Sequence, residues 1–538
     1  MPATSESFFI SDETGRRACA LMLELAAIPS ITGSDGGEEA CASFIRDRLA
    51  RLDYFKRNED DLKFIAVDPQ GRHTVAALLR AANRNAANDV KKTVILLGHF
   101  DVVDVEGCGP LRSCAFDPLE YTRRAGELAL SEDARKDLES GRWLFGRGVA
   151  DMKAGLALII CLLEEYALRR EKLDFNILLL AVPDEEGDSS GMRGVVSHLA
   201  KLKEEEGLDF LACVDAEPTF EFSSLDPSSS SPAIYYGTIG KIMPLYLCVG
   251  RESHVGEYYE GLNSALIASY LNISLDGAKD TIETREGETF QPQACLRMRD
   301  LRSRYAVTLP ERTVLYYNCL TVAKTPEIVL GEMKEKAKRA LEAALSHAGR
   351  TDMEPRVLTV SEILDKAAGA LETLLPRVAA ADERERNIEF LSLALDMTGE
   401  KGPLVVVGFV PPFYPPRVNE NESPRERAAR RAAGVIREKL KRRGLALAER
   451  EIFQGITDLS FTGFRGRTEE LAALSANTPL WGRNYTLPLG DLQKIDIPCV
   501  LLGPIGKDSH KATERVELDY SFNVLPSLFR DFIEALAL

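Results

Sequence analysis

Asn176-Ile177-Leu178-Leu179-Leu180-Ala181-Val182-Pro183-Asp184-Glu185-Glu186-Gly187 opens as an unbroken apolar run and closes on adjacent acids. A strand with one wet face would alternate apolar and polar residues. A continuous apolar run of this length reads as a strand covered on both faces. The Pro and the acids mark where it stops.

Outward from this strand, Met152–Arg169 before it and Gly191–Glu206 after it carry helical periodicity. Thr93–Leu97 and Phe210–Val214 repeat the buried-strand pattern, and Arg17–Ala27 and Glu38–Leu52 read as amphipathic helices. Strands alternating with helices imply an α/β unit, a mixed sheet covered by helices. Phe222–Pro232, rich in Ser and Pro, reads as a loop.

The style then changes. Strands at Lys241–Val249 and Thr313–Thr321 and helices at Asn263–Ile273 and Pro326–Ser346 suggest a smaller inserted α+β unit. After about Thr351 the first style returns, with a strand at Leu404–Val410, a charged helix at Pro424–Arg443, a strand at Cys499–Leu502 and a closing helix at Leu525–Leu536. The expected organisation is a first domain in two parts, 1–237 and 351–538, the second part enlarged, with the inserted unit at 238–350.

The 538 residues exceed what one core holds, since single cores rarely grow past ~250–300 residues. The formal charge of −16 argues against nucleic acid or an anionic membrane as the main partner. Apolar runs such as Leu156–Leu163 fall short of the roughly 20 residues a membrane helix needs. Met1–Thr14 lacks a signal-peptide pattern. The ten cysteines form no CxxC pair, which fits buried thiols in a reducing cytoplasm.

Acids and histidines gather just past the strand-like runs, where ligands collect in open α/β sheets. In Gly98-His99-Phe100-Asp101, residues two apart in extended chain point the same way. Asp101 can then orient His99 through one ring nitrogen and leave the other for a metal. Asp151, in Gly146-Arg147-Gly148-Val149-Ala150-Asp151-Met152-Lys153-Ala154-Gly155, read by itself is as readily a helix N-cap. Asp184-Glu185-Glu186 is either a solvated acidic loop or a place where a divalent cation relieves like-charge repulsion. Val214-Asp215-Ala216-Glu217-Pro218-Thr219 and Ser509-His510 complete the set.

In this order, HxD, GRGxxDMKAG, PDEEG, DxEPT and the late SHKxxE resemble the aminoacylase/carboxypeptidase G family of co-catalytic zinc peptidases. The chain length, the segment Pro411-Pro412-Phe413-Tyr414-Pro415-Pro416 and Gly455-Ile456-Thr457-Asp458 resemble, more finely, its arginine-utilisation RocB branch. The sequence departs from the family in Phe116–Arg142, which looks like an insertion between His99 and Asp151.

The resemblance implies two divalent ions per chain, zinc first and cobalt or manganese as alternatives. His99 and either Asp215 or Glu217 would bind one ion, Glu186 and His510 the other, and Asp151 both. Glu185 would be the general base for water attack on an amide, and Asp101 would orient His99. The inserted unit becomes a lid and dimerisation domain of a homodimer, with His254 reaching the partner's active site. Asn263, and Arg193 at a helix start, would bind the carboxylate of a small-molecule substrate, an N-acyl amino acid or dipeptide that is plausibly arginine-related. The rival readings are a peptidase of different specificity and a non-catalytic binding protein on the same fold.

Overall fold

The computed structural model describes residues 10–34, 36–82, 91–219, 232–285, 287–350, 352–483 and 485–538. The loop expected at Phe222–Pro232 lies, but for its last residue, outside the described residues. The chain forms two compact units, Met1–Thr238 with Arg417–Phe464 and Pro488–Leu538, and Ile239–Pro416 with Arg465–Leu487.

The first unit is built on an eight-stranded mixed sheet. Its centre is four neighbouring parallel strands, in the order Asn176–Val182, Lys92–His99, Asp209–Asp215 and Cys499–Leu501. The residues that predicted a doubly covered strand, Ile177–Val182, are buried throughout. An antiparallel hairpin, Leu62–Ala66 with His73–Leu79, flanks the Asn176–Val182 strand and was not anticipated from sequence. Helix Ala154–Leu168 packs between helix Glu13–Ala26 and the central strands. That sandwiching explains why it is apolar on nearly every side. Helices Gly37–Leu49, Ser190–Glu205, Pro424–Arg442 and Leu525–Ala537 also pack on sheet strands. Because the four central strands are parallel, their carboxyl ends share one edge. His99, the Asp184–Glu186 acids, Glu217 and the chain leading to His510 all follow those ends.

The second unit holds a sheet in the order Ala294–Asp300, Arg312–Thr321, Pro244–Val249, Leu404–Phe409 and Arg356–Thr359, with Gly240–Ile242 added to Arg312–Thr321. Its helices include Ser264–Leu275, Pro326–His347 and Glu383–Thr398. The chain leaves this unit later than the expected boundary at residue 350. Leu404–Phe409 pairs antiparallel with Pro244–Val249, and Ile388, Leu391 and Leu395 share a core with Leu245 and Val406. An apolar run shows that a strand will be buried but not which sheet receives it, and the resumption of α/β style after Thr351 was read from that ambiguous signal.

Candidate metal centre

His99 closes the Lys92–His99 strand and is 1% exposed. Its Nδ1 lies 3.0 Å from the backbone carbonyl of Asp101 and 3.5 Å from Asp101 Oδ1. The carboxylate of Asp101 has other partners. It accepts the Glu185 and Glu186 amides, both at 3.1 Å, and the Thr32 hydroxyl at 2.8 Å. Asp101 thus fixes His99 through its backbone and the acidic loop through its side chain, a division the HxD spacing did not reveal.

His99 Nε2 sits 3.2 Å from Asp151 Oδ1 and 3.1 Å from Glu217 Oε1. His510 Nε2 sits 3.3 Å from Asp151 Oδ2 and 2.9 Å from Glu186 Oε2. Asp151 therefore offers one oxygen to each imidazole. Its backbone is non-helical, at φ −113° and ψ 96°, and the regular helix begins only at Ala154. The N-cap reading of Asp151 does not apply.

Two groups of potential ligands result, His99–Asp151–Glu217 and Asp151–Glu186–His510, with donor atoms in each within 4.8 Å of one another. A third set, His99–Glu185–Glu186, overlaps both. Asp215 joins none of these groups among the described residues, and its buried Oδ2 has no hydrogen-bond partner.

The acids and imidazoles of the cluster perturb one another strongly. Burial and the Asp151 carboxylate push Glu217 up to about 8, against the pull of His99. Burial also raises Glu185 and Glu186, with neighbouring carboxylates adding to it. Burial disfavours protonated His510, but Asp151 and Glu186 outweigh it and lift the ring to about 11. Asp151 is the exception: hydrogen bonds to His510 and His99 hold it below the ordinary carboxylate range despite burial. Carboxylates gathered this closely around two imidazoles form a strongly negative cluster that a divalent cation would neutralise. Mixed imidazole and carboxylate donors converging on one shared carboxylate suit a pair of zinc-type ions.

Other proposed site residues are placed less decisively. Arg193 lies in helix Ser190–Glu205, and its Nε donates to the Asp188 carbonyl at 2.9 Å. The Ser190 amide at that helix start donates to Asp184, so part of the donor set expected for a substrate carboxylate is already engaged. His254 and Asn263 belong to the second unit. His254 Nδ1 accepts the Gly256 amide, and Asn263 caps helix Ser264–Leu275 through the Ala265 amide. Asp458, in the Gly455–Asp458 motif, is a neighbour that sequence reasoning gave no role. It is 2% exposed, and burial raises it to about 7 against the Ser189 hydroxyl and His99.

A family model for peptidase family M20/M25/M40 matches residues 95–468. The Bacillus subtilis (strain 168) protein YqjN is 34% identical over 97% of this chain and 97% of its own. Protein RocB of the same organism is 29% identical over 96% of this chain and 94% of its own. An M20 family metallo-carboxypeptidase, Sso-CP2 from Sulfolobus solfataricus, shares the fold with a TM-score of 0.53 at 14% identity, over 98% of this chain and 99% of that one.

Proposed function

Because the chain belongs to peptidase family M20/M25/M40 and is a metal-dependent hydrolase, we propose that it cleaves a small carboxylate-bearing amide, an N-acyl amino acid or dipeptide, at a two-ion centre. The observation that carries this reading is Asp151, whose two oxygens stand 3.2 and 3.3 Å from the imidazoles of His99 and His510. In the proposed assignment His99 and Glu217 would hold one ion, Glu186 and His510 the other, and Asp151 would serve both. Two such ions, zinc first, would supply acidification of a water and polarisation of the amide carbonyl.

Glu185 takes the proton from that water and returns it to the leaving nitrogen. Its carboxylate is buried, with Oε2 4.0 Å from His99 Nε2. Its amide is fixed by Asp101, so the base is held by its own backbone. Asp101 is a positioning residue for both His99 and Glu185.

The substrate carboxylate is assigned to Arg193, with Asn263 as a second candidate donor. The RocB-branch resemblance and the acidic composition favour an arginine- or ornithine-type side chain. A homodimer is proposed through the edge strand Ala294–Asp300, where Leu296 is 51% and Met298 41% exposed. His254 would act across that dimer. Ten free thiols agree with a cytoplasmic setting, and no described helix is long and apolar enough to cross a membrane.

The deciding experiment is Glu185→Gln, with metal content measured alongside turnover. We expect turnover to fall by at least 10²–10⁴-fold with the ions retained. Loss of metal instead would make Glu185 a ligand and reverse its role with Glu186. Substrate class is read by comparing a free-acid substrate with its carboxamide. Equal rates would remove the carboxylate requirement.

A further inference from the structure

Phe116–Arg142, the stretch that reads as an insertion between His99 and Asp151, has no part in the chemistry above. It folds into helices Pro118–Arg124 and Glu132–Ser140, joined by a short turn. Both helices contact the hairpin that carries His510.

That hairpin is made of Gly506–Lys507 and Arg515–Glu517, paired antiparallel. Its outer partner is Trp143–Phe145, the strand that directly follows the added stretch. The loop between the two hairpin strands is conformationally expensive. Asp508 and His510 adopt φ of 56° and 68°, the left-handed region that side chains with a Cβ disfavour. The His510 side chain is 53% exposed, so packing alone does not hold it.

A large part of the hold comes from these helices. Arg515, 1% exposed, donates to Asp508 within the hairpin at 2.5 Å. The same guanidinium donates to Asp137 at 2.7 Å and Asp133 at 2.5 Å, both on helix Glu132–Ser140. Lys507 Nζ reaches Asp133 at 3.0 Å and Asp137 at 2.9 Å. Tyr121, from helix Pro118–Arg124 and 1% exposed, donates its hydroxyl to the Ala512 carbonyl at 2.8 Å. Without Asp133 and Asp137, a buried guanidinium would keep a single carboxylate partner, a costly arrangement that the loop would relieve by moving.

We propose that residues 116–142 are a positioning element for His510, a clamp that keeps this half-exposed ligand in register with Glu186 and Asp151. The inference rests on the two-ion reading. It assigns the added stretch to one ion position and not the other: the His99–Glu217 side touches none of the clamp contacts named here.

The test is cobalt titration of the metal-free full-length chain, followed by calorimetry and visible absorption, with hydrogen exchange of residues 508–514 measured in parallel. The wild type should take up two ions. The Asp133→Asn/Asp137→Asn double variant should keep the first binding step and weaken the second at least tenfold, with faster exchange at 508–514. Tyr121→Phe, a gentler change that preserves packing, should move both readouts in the same direction by less. Asp137→Glu should recover most of the second-ion affinity that Asp137→Asn loses. Unchanged binding of both ions in the double variant and in Tyr121→Phe would overturn the proposal. Equal weakening of both ions with a general loss of stability would also overturn it, because it describes a merely structural segment. A wild type that binds fewer than two ions would instead bring down the two-ion reading, and this inference with it.

Discussion

Arg147 Nη1 lies 2.6 Å from Glu514 Oε2, and both side chains are 2% exposed. The pair joins the two stretches that carry Asp151 and His510. Glu514 Oε1 accepts the amides of Ala150 at 3.2 Å and Asp151 at 3.3 Å. Arg147 Nη2 donates to the His510 carbonyl at 3.2 Å. Residues far apart in sequence thus hold Asp151 and His510 by their backbones.

Removing one member strands the other. Glu514→Ala leaves Arg147 charged, buried and short of its partner, and should cost about 3–5 kcal/mol. Thermal and denaturant midpoints measure this. A double Arg147→Met/Glu514→Leu variant should recover part of the stability but not the metal affinity, since the amides of Ala150 and Asp151 remain without an acceptor.

Gly155 ends the DMKAG motif because the backbone comes too close for a side chain. A Cβ there would lie 1.9 Å from the Ala216 carbonyl oxygen. Gly155→Ala must push the Ala216–Glu217 stretch away, with an overpacking cost of about 1–3 kcal/mol. We expect a lower melting temperature and weaker binding of the ion assigned to Glu217. Wild-type metal affinity in this variant would show that the stretch tolerates the shift.

Glu217 and Asp215 separate cleanly by substitution. Glu217 Oε1 is 3.1 Å from His99 Nε2, whereas Asp215 joins no ligand group among the described residues. Glu217→Gln should lower bound metal by about one ion per chain, and Asp215→Asn should keep both. Elemental analysis of the two purified variants decides, and the reverse pattern would give the ligand role to Asp215.

Glu38 should make stability depend on pH. Burial and the Asp101 carboxylate raise it to about 8, Arg72 and the Gly33 amide pull it down, and Asp184 pushes it up again. A folded pKa above the unfolded one means the folded protein holds a proton that the unfolded chain has released. The contribution is therefore complete below about 4.5 and is lost as pH rises through about 8. Glu38→Gln keeps a neutral side chain at every pH. Relative to wild type it should gain stability between pH 5 and pH 8.5, read as melting temperature across that range, and a parallel pair of profiles would refute the assignment.

His254 is expected to act across the proposed dimer. Inactive His254→Ala and inactive Glu185→Gln subunits, once exchanged, should regain part of the activity in mixed dimers. No recovery after exchange is demonstrated, or a stable active monomer, would exclude the arrangement.

Sequence alone determined the four central strands of the first unit and the long helices beside them, though not the hairpin Leu62–Ala66 with His73–Leu79; it also determined that the sheet is covered and that acidic and histidine clusters follow its strand ends. Those are local properties: apolar period and length decide burial, and parallel strands bring their ends together. It also supplied the family, through motifs kept in order. It could not choose between Asp215 and Glu217, because the strand ends at Asp215 and two-residue alternation stops there with it. It could not place Leu404–Phe409, since an apolar strand carries no mark of its partner. It could not give Phe116–Arg142 a role, because Asp133 and Asp137 meet Arg515 only once the hairpin has formed. Those choices depend on contacts between residues hundreds of positions apart, and only the tertiary structure sets them.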